Sequence, residues 1–359
     1  MHVALSRLWR TINVNDHGIV FCTFAAPNNV KVGTLKMTQA LSLSAIVCTR
    51  NRADSLKRAL SSLDSALKPD CEWELLIIDN GSTDETHSVV TEFAGRLPIR
   101  YEMEQHAGLS NARNRAVACA RGDYIIWTDD DVMVDQAWLT AYVDAFKRWP
   151  DVCIFGGKIV PTLVEPTVGW FVSALPVLGH PLAARDLGPN PVAMAVEGNL
   201  LPYGANFATR SLEQRQFPFD PRLGVSPGRR LLFEETQVIK AMLASGLRGM
   251  WFPESIVKHI IGHERQTIQY IANYYEGHGA TEVFLEGGLA GVQIFGVPRW
   301  LWLRFATRFA GYWLSRLISP PEIWVEKLTK LAHDRGKIRA LLSLRSDPAQ
   351  SMVSAAGSR

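Results

Sequence analysis

From residue 42 onward, short apolar runs alternate with stretches in which apolar residues recur every three or four positions. The runs predict buried strands at Leu43–Cys48, Leu75–Ile78, Ile99–Met103 and Tyr124–Trp127. The stretches between them predict helices, of which Ala53–Leu67 and Leu109–Ala120 are the clearest. Strands and helices that alternate in this way are typical of an α/β fold with a mostly parallel sheet flanked by helices.

The pattern becomes less regular after residue 150. Ile154–Pro161 predicts a strand with a glycine kink, Glu234–Gly246 a helix that opens on two acids, and Ser255–His259 a further strand. Residues 161–200 contain many Pro and Gly and little periodicity. Long loops of this kind are often functional.

Polar residues follow three of the predicted strands at the point where each strand ends. They are Thr49–Arg52, Asp79–Asn80 and Asp129–Asp131. Ligands of parallel sheets bind beyond the carboxyl ends of the strands, so we expect these residues to form one site. Three adjacent carboxylates need a positive partner, and a Mg²⁺ or Mn²⁺ ion on a phosphate-bearing ligand fits their hard oxygen atoms. The alternative is a helix start, where Asp is also favoured.

The composition is that of an ordinary globular protein. The 359 residues are 47% hydrophobic and 20% charged, enough for one large domain with additions or for two domains. The net charge of +3 is too small to indicate a nucleic-acid-binding protein, and residues 299–345 hold ten Lys and Arg against three Asp and Glu. Five scattered cysteines without a C-x-x-C pair favour a reduced, cytoplasmic compartment.

These patterns divide the chain into four segments. Residues 1–41 are expected to be a loose N-terminal extension, with an over-extended start codon as one explanation and an edge strand near Gly18–Phe24 as the alternative. Residues 42–265 are expected to form the α/β domain and 266–345 a helical region. Residues 346–359 are expected to be a disordered tail.

Three segments resemble the family 2 glycosyltransferases with the GT-A fold: SAIVCTRNRADSL, LLIIDNGSTDET and GLSNARNRAVACARGDYIIWTDDDV. Weaker pieces follow in the expected order, namely GGKIVP, YGANFATR, FEETQVI and IVKHI. The resemblance covers about residues 42–265 and implies a Rossmann-like GT-A domain. It also implies transfer of a sugar from a nucleotide-diphosphate sugar, a UDP-sugar by default, with inversion and with Mn²⁺ or Mg²⁺.

The resemblance places the donor against the residues that follow the strands. Asp79 stands where the family uses an acid against the base or the ribose, although Asp-Asn-Gly-Ser is also a strong turn sequence, so an Asx-turn is the alternative. Arg52 fits either a phosphate or solvent. The implied donor-binding residues are Thr49, Asn51, Arg52, Asp79, Arg113, Asn114, Asp129 and Asp130.

By the same resemblance, Asp129 and Asp131 bracket the DxD motif of the family. Asp131 is the better metal ligand, Asp129 is expected to meet the ribose or the metal, and Asp130 can point either way. His259 stands where many relatives carry a histidine near the metal or the diphosphate, with His263 as a competitor and a structural role as the alternative. The metal would act as a Lewis acid on the departing nucleoside diphosphate.

Glu234-Glu235 occupies the place of the acid pair that the family carries before a helix. An inverting transfer needs a general base on the face opposite the leaving group, and the resemblance gives this role to Glu235. Glu replaces the usual Asp, and Val238 replaces the usual Leu. Two favourable first-turn acids are the alternative.

Gly204-Ala205-Asn206 resembles the small-residue motif that lines the acceptor pocket. Small side chains would leave room for a sugar, and Asn206 could hydrogen-bond a hydroxyl. The acceptor is expected to be a saccharide or a lipid-linked sugar.

Pro298–Ile318 is interrupted by arginines, which argues against a helix that spans a bilayer. At helical spacing, two faces separate: Trp302, Phe305, Phe309, Trp313 and Leu317 on one, and Arg304, Arg308 and Ser315 on the other. Aromatic residues and arginines suit a helix in a membrane interface, and the local positive charge suits anionic lipid. The alternative is a helix that packs on the catalytic domain.

The sequence thus predicts a metal-dependent glycosyltransferase in peripheral contact with the inner face of the cell membrane, active in polysaccharide or cell-envelope synthesis. One alternative is a non-catalytic nucleotide-sugar or membrane-binding protein derived from a transferase. The other is a sugar-nucleotide pyrophosphorylase, which requires a Gly-rich triphosphate loop where this chain has Cys48–Asn51.

Overall fold

The computed structural model describes β1 (Trp9–Val14), β2 (Val20–Phe24) and residues 41–346. β1 and β2 pair in an antiparallel hairpin, and β2 falls in the stretch where an edge strand was the alternative expectation. The expectations of an over-extended start codon and of a disordered tail concern residues that lie mostly outside the described ranges.

Contacts divide the described chain into two compact units. The sheet unit consists of residues 41–167 and 179–263. The helical unit consists of residues 168–178 and 264–346, together with β1 and β2. The domain boundaries expected from the sequence stay a prediction, and the contacts add that residues 168–178 group with the later helices.

Within the described residues, the sheet unit contains the six strands predicted from the sequence and five short strands that were not predicted. They are β3 (Ser42–Thr49), β4 (Glu72–Asp79), β5 (Ile99–Met103), β6 (Tyr124–Asp129), β7 (Val132–Val134), β8 (Ile154–Leu163), β9 (Val192–Ala193), β10 (Asn206–Arg210), β11 (Val225–Ser226), β12 (Arg229–Arg230) and β13 (Gly249–Ile261). Among the described residues, nine strands form one mixed sheet in the order β5-β4-β3-β6-β10-β8-β13-β7, with β9 beside β13. β5, β4, β3 and β6 are all parallel, and β10 reverses the direction. The predicted α/β fold with a mostly parallel sheet flanked by helices is confirmed.

The helices include those predicted at Ala53–Leu67, Leu109–Ala120, Glu234–Gly246 and Pro298–Ile318. In chain order, the helices are α1 (Ala53–Ser65), α2 (Thr86–Phe93), α3 (Leu109–Cys119), α4 (Trp138–Arg148), α5 (Gly169–Ala174), α6 (Ser211–Gln214), α7 (Glu234–Ala244), α8 (Ile268–Glu286), α9 (Arg299–Ile318) and α10 (Pro321–Ser346). α2 begins at Thr86, directly after the acidic residues Asp84 and Glu85. Asp84 accepts hydrogen bonds from the backbone N–H groups of Ala53 and Thr86, so it joins the starts of α1 and α2.

The main core lies between the sheet and the helices that cover it. Leu56, Leu60 and Leu63, which share one face of α1, are completely buried, and so are Trp138 and Tyr142 of α4. Burial of each side chain of this size stabilises the fold by about 1.5–3 kcal/mol. This packing holds the strand ends, and the loops that follow them, in a fixed register.

That register aligns three of the predicted site residues. Thr49 of β3 lies opposite Asp79 of β4, and Cys48 of β3 lies opposite Asp129 of β6. The ends of three neighbouring parallel strands therefore meet at one edge of the sheet, as the sequence predicts.

Within the helical unit, α9 and α8 both pack on α10. Arg304 and Arg308 of α9 form ion pairs with Asp334 of α10, which is completely buried. Ser315 is also buried. Residues 41–346 and the two N-terminal strands include no helix that is long and apolar enough to cross a bilayer.

The two predicted faces of α9 are thus arranged with the arginines inward. Trp302 and Phe305 are partly buried against a small apolar cluster, whereas Phe309, Trp313 and Leu317 are exposed. An arginine side that binds a buried acid and an apolar side that faces outward is the reverse of an ordinary amphipathic surface helix.

Candidate active site

The acidic edge of the sheet is formed where β6 ends. Asp129 is the last residue of β6, and Asp130 and Asp131 make the turn that leads into β7. β7 pairs with β13 so that Val132 lies opposite His259, and the backbone N–H of Ile260 donates to the carbonyl of Asp131. This pairing brings a histidine from far along the chain beside the acids.

Arg52 neutralises two of the three carboxylates. Its Nη1 lies 2.6 Å from Asp130 Oδ1 and 2.9 Å from Asp131 Oδ2. The hydroxyl of Thr49 donates to the other oxygen of Asp130 at 2.8 Å. Burial raises the pKa of Asp130 to about 7, and the charge of Asp131 adds to this, although Arg52 and Thr49 act in the opposite direction. Thr49 and Arg52 therefore hold the acids in place in this structure.

Asp129 is the most open of the three acids, with 36% of its side chain exposed. Its Oδ1 lies 3.7 Å from Arg113 Nη2. Desolvation raises the pKa of Asp129, and the charges of Asp131 and Glu235 raise it further, while Arg113 and His259 lower it. Asp129 is therefore the carboxylate of the three that an ion or a ligand can most easily reach.

The contacts of His259 fit a metal ligand. Its Nδ1 lies 2.8 Å from the carbonyl oxygen of Leu182, which can only accept, so in the neutral ring Nδ1 carries the hydrogen and Nε2 presents a lone pair. Nε2 lies 3.5 Å from Asp131 Oδ1, which is also an acceptor. Two acceptor atoms this close repel each other unless a proton or a metal ion lies between them. Asp129, Asp131 and His259 are thus a donor set that fits Mn²⁺ or Mg²⁺.

Arg113 is the buried cation of the site. It lies on α3 with 4% of its side chain exposed, beside the rings of Trp127, Phe207 and Phe219 at 5.5–5.9 Å. Its Nη1 is 3.4 Å from Glu234 Oε1, and within the described residues this nitrogen has no hydrogen-bond partner. Arg113 therefore lies between Asp129 and the acid pair of α7.

The two acids at the start of α7 have different surroundings. Glu234 is buried beside Arg113, and burial raises its pKa to about 7, with the charge of Glu235 adding to this and Arg113 opposing it. Glu235 is only partly buried and accepts a hydrogen bond from the backbone N–H of Gly204 at 3.2 Å. The residue before the pair, Phe233, has a φ of 72°, a left-handed conformation that is unusual for a non-glycine residue.

Gly204, the first residue of the predicted acceptor motif, lies in close contact with Arg113 and Glu235. A Cβ at this position would lie 2.7 Å from Arg113 Nη2 and 3.4 Å from the carboxyl carbon of Glu235. Only a glycine fits there without displacing one of the two. Ala205 follows it and is buried in the main core.

Asn206 is completely buried and its amide is fully used inside the protein. Its Oδ1 accepts from Trp138 Nε1 and Tyr142 Oη at 2.9 Å, and its Nδ2 donates to the carbonyls of Lys158 and Ser255 at 3.0 Å. No donor is left for an acceptor hydroxyl. The structure corrects the expectation for Asn206, which ties β10 to β8, β13 and α4.

Two other residues that were predicted to bind the donor form hydrogen bonds with neighbouring loops of the protein. The amide of Asn114 donates to the carbonyl of Phe219 and accepts from its N–H, at 2.8 and 2.9 Å. Asn51, exposed and with a φ of 52°, accepts from the N–H of Thr83 and donates its own N–H to Ser82 Oγ. Asn114 fixes an aromatic residue beside Arg113, and Asn51 joins the loops after β3 and β4.

Asp79 is buried and both of its oxygens accept hydrogen bonds. Oδ1 accepts from the N–H of Ser82, three residues further along the chain, at 2.7 Å and so stabilises the turn after β4, and Oδ2 accepts from Tyr101 Oη at 2.6 Å. Asn80 was expected at the site without a defined role, whereas Tyr101 was not predicted from the sequence. The amide of Asn80 binds the carbonyls of Glu104 and His106 and the N–H of Gly108, so it shapes the floor of the site. Its position directly after Asp79 was the available signal.

Comparison with known proteins gives a consistent result. The model of the glycosyl transferase family 2 matches residues 44–168. YfnE of Bacillus subtilis, named an uncharacterized glycosyltransferase, is 27% identical over 117 residues, which cover 32% of this chain and 30% of YfnE. The glycosyltransferase AglE of Haloferax volcanii is 31% identical over 127 residues, 34% of this chain and 41% of AglE. The chain thus matches less than half of the length of these relatives.

Among solved structures, the mannosyltransferase PcManGT from Pyrobaculum calidifontis, in complex with GDP-Man and Mn²⁺, superposes with a TM-score of 0.53. The match covers 84% of this chain and 88% of that one, at 17% sequence identity. This likeness shows that the two proteins share a fold.

We expect Asn206→Ala to destabilise the protein by about 2–4 kcal/mol, because Trp138 and Tyr142 would lose their buried hydrogen-bond partner. Chemical denaturation of the purified protein measures this loss. Asn190→Ala, at an exposed position, is the matched control and should change stability by less than about 0.5 kcal/mol. An Asn206→Ala protein with wild-type stability but weakened acceptor binding would contradict this role and show that Asn206 binds the acceptor.

Proposed function

We propose that this chain, whose residues 44–168 belong to glycosyl transferase family 2, is an inverting glycosyltransferase that moves a sugar from a nucleotide-diphosphate sugar to a saccharide or lipid-linked acceptor. The observation that carries the proposal is the meeting of two groups of acids around one buried arginine. Asp129 lies on one side of Arg113 and the Glu234-Glu235 pair on the other. A donor diphosphate with its cation belongs at the first group, and a base for the acceptor at the second.

The donor side of the site is the edge that Asp129, Asp131 and His259 share. A bound Mn²⁺ or Mg²⁺ would neutralise the diphosphate and stabilise the departing nucleoside diphosphate. Arg52 keeps Asp131 oriented, and the carbonyl of Leu182 keeps His259 in the tautomer whose lone pair is on Nε2. We propose UDP-sugars as the first donors to test, with GDP-sugars next because PcManGT was solved with GDP-Man.

Glu235 is the proposed general base. It is more open than Glu234, and its contact with the N–H of Gly204 places it at the motif that resembles the acceptor pocket. Glu235 takes the proton of the acceptor hydroxyl while that oxygen bonds to the anomeric carbon. The bond from that carbon to the diphosphate oxygen breaks on the opposite face, so the configuration inverts. Glu234, buried against Arg113, positions the arginine and balances its charge.

The exposed side of α9 supports the proposed membrane contact. Its large apolar side chains are between 39% and 82% exposed: Trp300, Leu303, Phe309, Trp313, Leu314, Leu317 and Ile318. Because Arg304 and Arg308 are held by Asp334, this stripe is apolar for most of its length, with Arg299 and Arg316 at the exposed margin. An apolar stripe with aromatic residues beside basic ones suits the interface of an anionic bilayer.

The assignment of the base predicts different effects for the two acids of α7. Glu235→Gln should lower kcat by about 10²–10⁴-fold, because the amide cannot take the proton, while donor affinity stays unchanged. Glu234→Gln should lower kcat less, since an amide oxygen can still face Arg113. Steady-state kinetics and donor titration of both variants measure this. A larger loss of kcat in Glu234→Gln than in Glu235→Gln would move the base to Glu234.

Metal removal should abolish turnover of the nucleotide sugar, and Mn²⁺ or Mg²⁺ should restore it. Asp131→Asn and His259→Ala should each weaken Mn²⁺ binding by at least about tenfold, measured by electron paramagnetic resonance of free Mn²⁺. Asp186→Asn, at an exposed ion pair with Lys158, is the control and should bind Mn²⁺ as the wild type does. Full turnover in the presence of a chelator would refute the metal role.

The membrane proposal predicts that Trp313→Ser with Leu317→Ser reduces co-sedimentation with anionic vesicles by at least about tenfold, since each side chain contributes about 1.5–3 kcal/mol when buried. Leu67→Ser, at an exposed leucine of the sheet unit, should leave vesicle binding unchanged. A wild-type protein that ignores vesicles but forms dimers that the double variant abolishes would assign the stripe to self-association instead.

A further inference from the structure

Two glycines let α8 and α10 approach until their backbones touch. A Cβ on Gly279 of α8 would overlap the carbonyl oxygen of His333, and a Cβ on Gly336 of α10 would overlap the carbonyl oxygen of Glu276. Neither position accepts a side chain without separating the helices. This contact fixes the side chains beside it at short and well-defined distances.

Three potential metal ligands lie next to this contact. His278 and Glu282 are one turn apart on α8, and His333 is on α10. Glu282 Oε1 is 2.9 Å from His333 Nε2 and 3.3 Å from His278 Nδ1, and the three ligand atoms all lie within 4.8 Å of one another. The side chains are 19–30% exposed, so an ion and a water molecule can reach them.

We propose that His278, Glu282 and His333 bind a transition-metal dication of the zinc class, at a site distinct from the acidic edge of the sheet. Two imidazole nitrogens and one carboxylate oxygen are a donor set that Zn²⁺ uses with water in the fourth position. Tetrahedral bonds of about 2.0–2.1 Å place ligand atoms roughly 3.3 Å apart, close to the 2.9 and 3.3 Å that separate Glu282 Oε1 from the two histidine nitrogens. The nitrogen ligands favour Zn²⁺ and Co²⁺ over Mg²⁺.

The hydrogen-bonding partners of Glu282 prepare it for this role. Its carboxylate contacts the rings of His278 and His333 and the ammonium group of Lys337. Lys337 binds Oε2 at 2.5 Å and leaves Oε1 nearest to the two rings. Lys337 thereby fixes the orientation of the carboxylate, while its positive charge opposes the metal.

A metal held in this way would link α8 to α10. Because the site exists only when the two helices are packed, binding energy adds to the stability of the helical unit. The proposed role is therefore structural, and it does not depend on the chemistry proposed for the sheet unit.

The test uses the full chain without a histidine tag, stripped of metal and titrated with Co²⁺, whose visible absorption reports its coordination. The wild type and Asp131→Ala should both show the absorption of a Co²⁺ site with nitrogen ligands. His333→Ala and Glu282→Gln should bind Co²⁺ more than about tenfold more weakly. His106→Ala, at an exposed histidine of the sheet unit, should bind like the wild type.

Zn²⁺ should displace the Co²⁺ and raise the thermal midpoint of Asp131→Ala but not of His333→Ala. Lys337→Met should tighten Co²⁺ binding, because it removes the opposing charge. The proposal is overturned if Co²⁺ binding is lost in Asp131→Ala alone. It is equally overturned if binding is unchanged in Glu282→Gln, whose similar shape preserves the helices, as checked by circular dichroism. The absence of Co²⁺ absorption from both the wild type and Asp131→Ala would show that the three residues are only an ion-pair network.

Discussion

The balance of charge around Arg113 is the constraint on which the site depends. Asp129 and Glu234 come from different parts of the chain and lie on opposite sides of this one buried guanidinium. Burying a charge is unfavourable unless it is paired, so the arginine and the acids need each other. The aromatic rings around Arg113 exclude water and strengthen these interactions.

The rest of the sheet unit can be understood as the support for this arrangement. Asn114 holds Phe219 beside Arg113, Asn206 holds β10 against its neighbours, and Arg52 ties the loop after β3 to Asp130 and Asp131. These three residues, which the sequence suggested as ligand contacts, therefore form hydrogen bonds that support the structure around the site. Such roles are expected of polar residues near a site, because buried polar atoms need hydrogen-bond partners.

The helical unit follows a different logic. Its cohesion comes from a glycine contact between α8 and α10 and from ion pairs on Asp334 and Glu282, while α9 leaves large apolar side chains exposed. Burying charged groups while exposing large apolar side chains is unfavourable when the protein is surrounded only by water. This arrangement is the physical reason for proposing a bilayer surface as the environment of α9.

The sequence by itself determined the elements and the edge at which they meet. The pattern of apolar residues was enough to predict the strands that end at Thr49, Asp79 and Asp129, because the spacing of apolar residues decides which face of an element is buried. Only the tertiary structure decided which partners the polar side chains have. It pairs the arginines of α9 with a buried acid, uses the amide of Asn206 in internal hydrogen bonds, and brings His259 close to Asp131. These depend on strand pairing and helix packing between residues far apart in the chain, which no local pattern records.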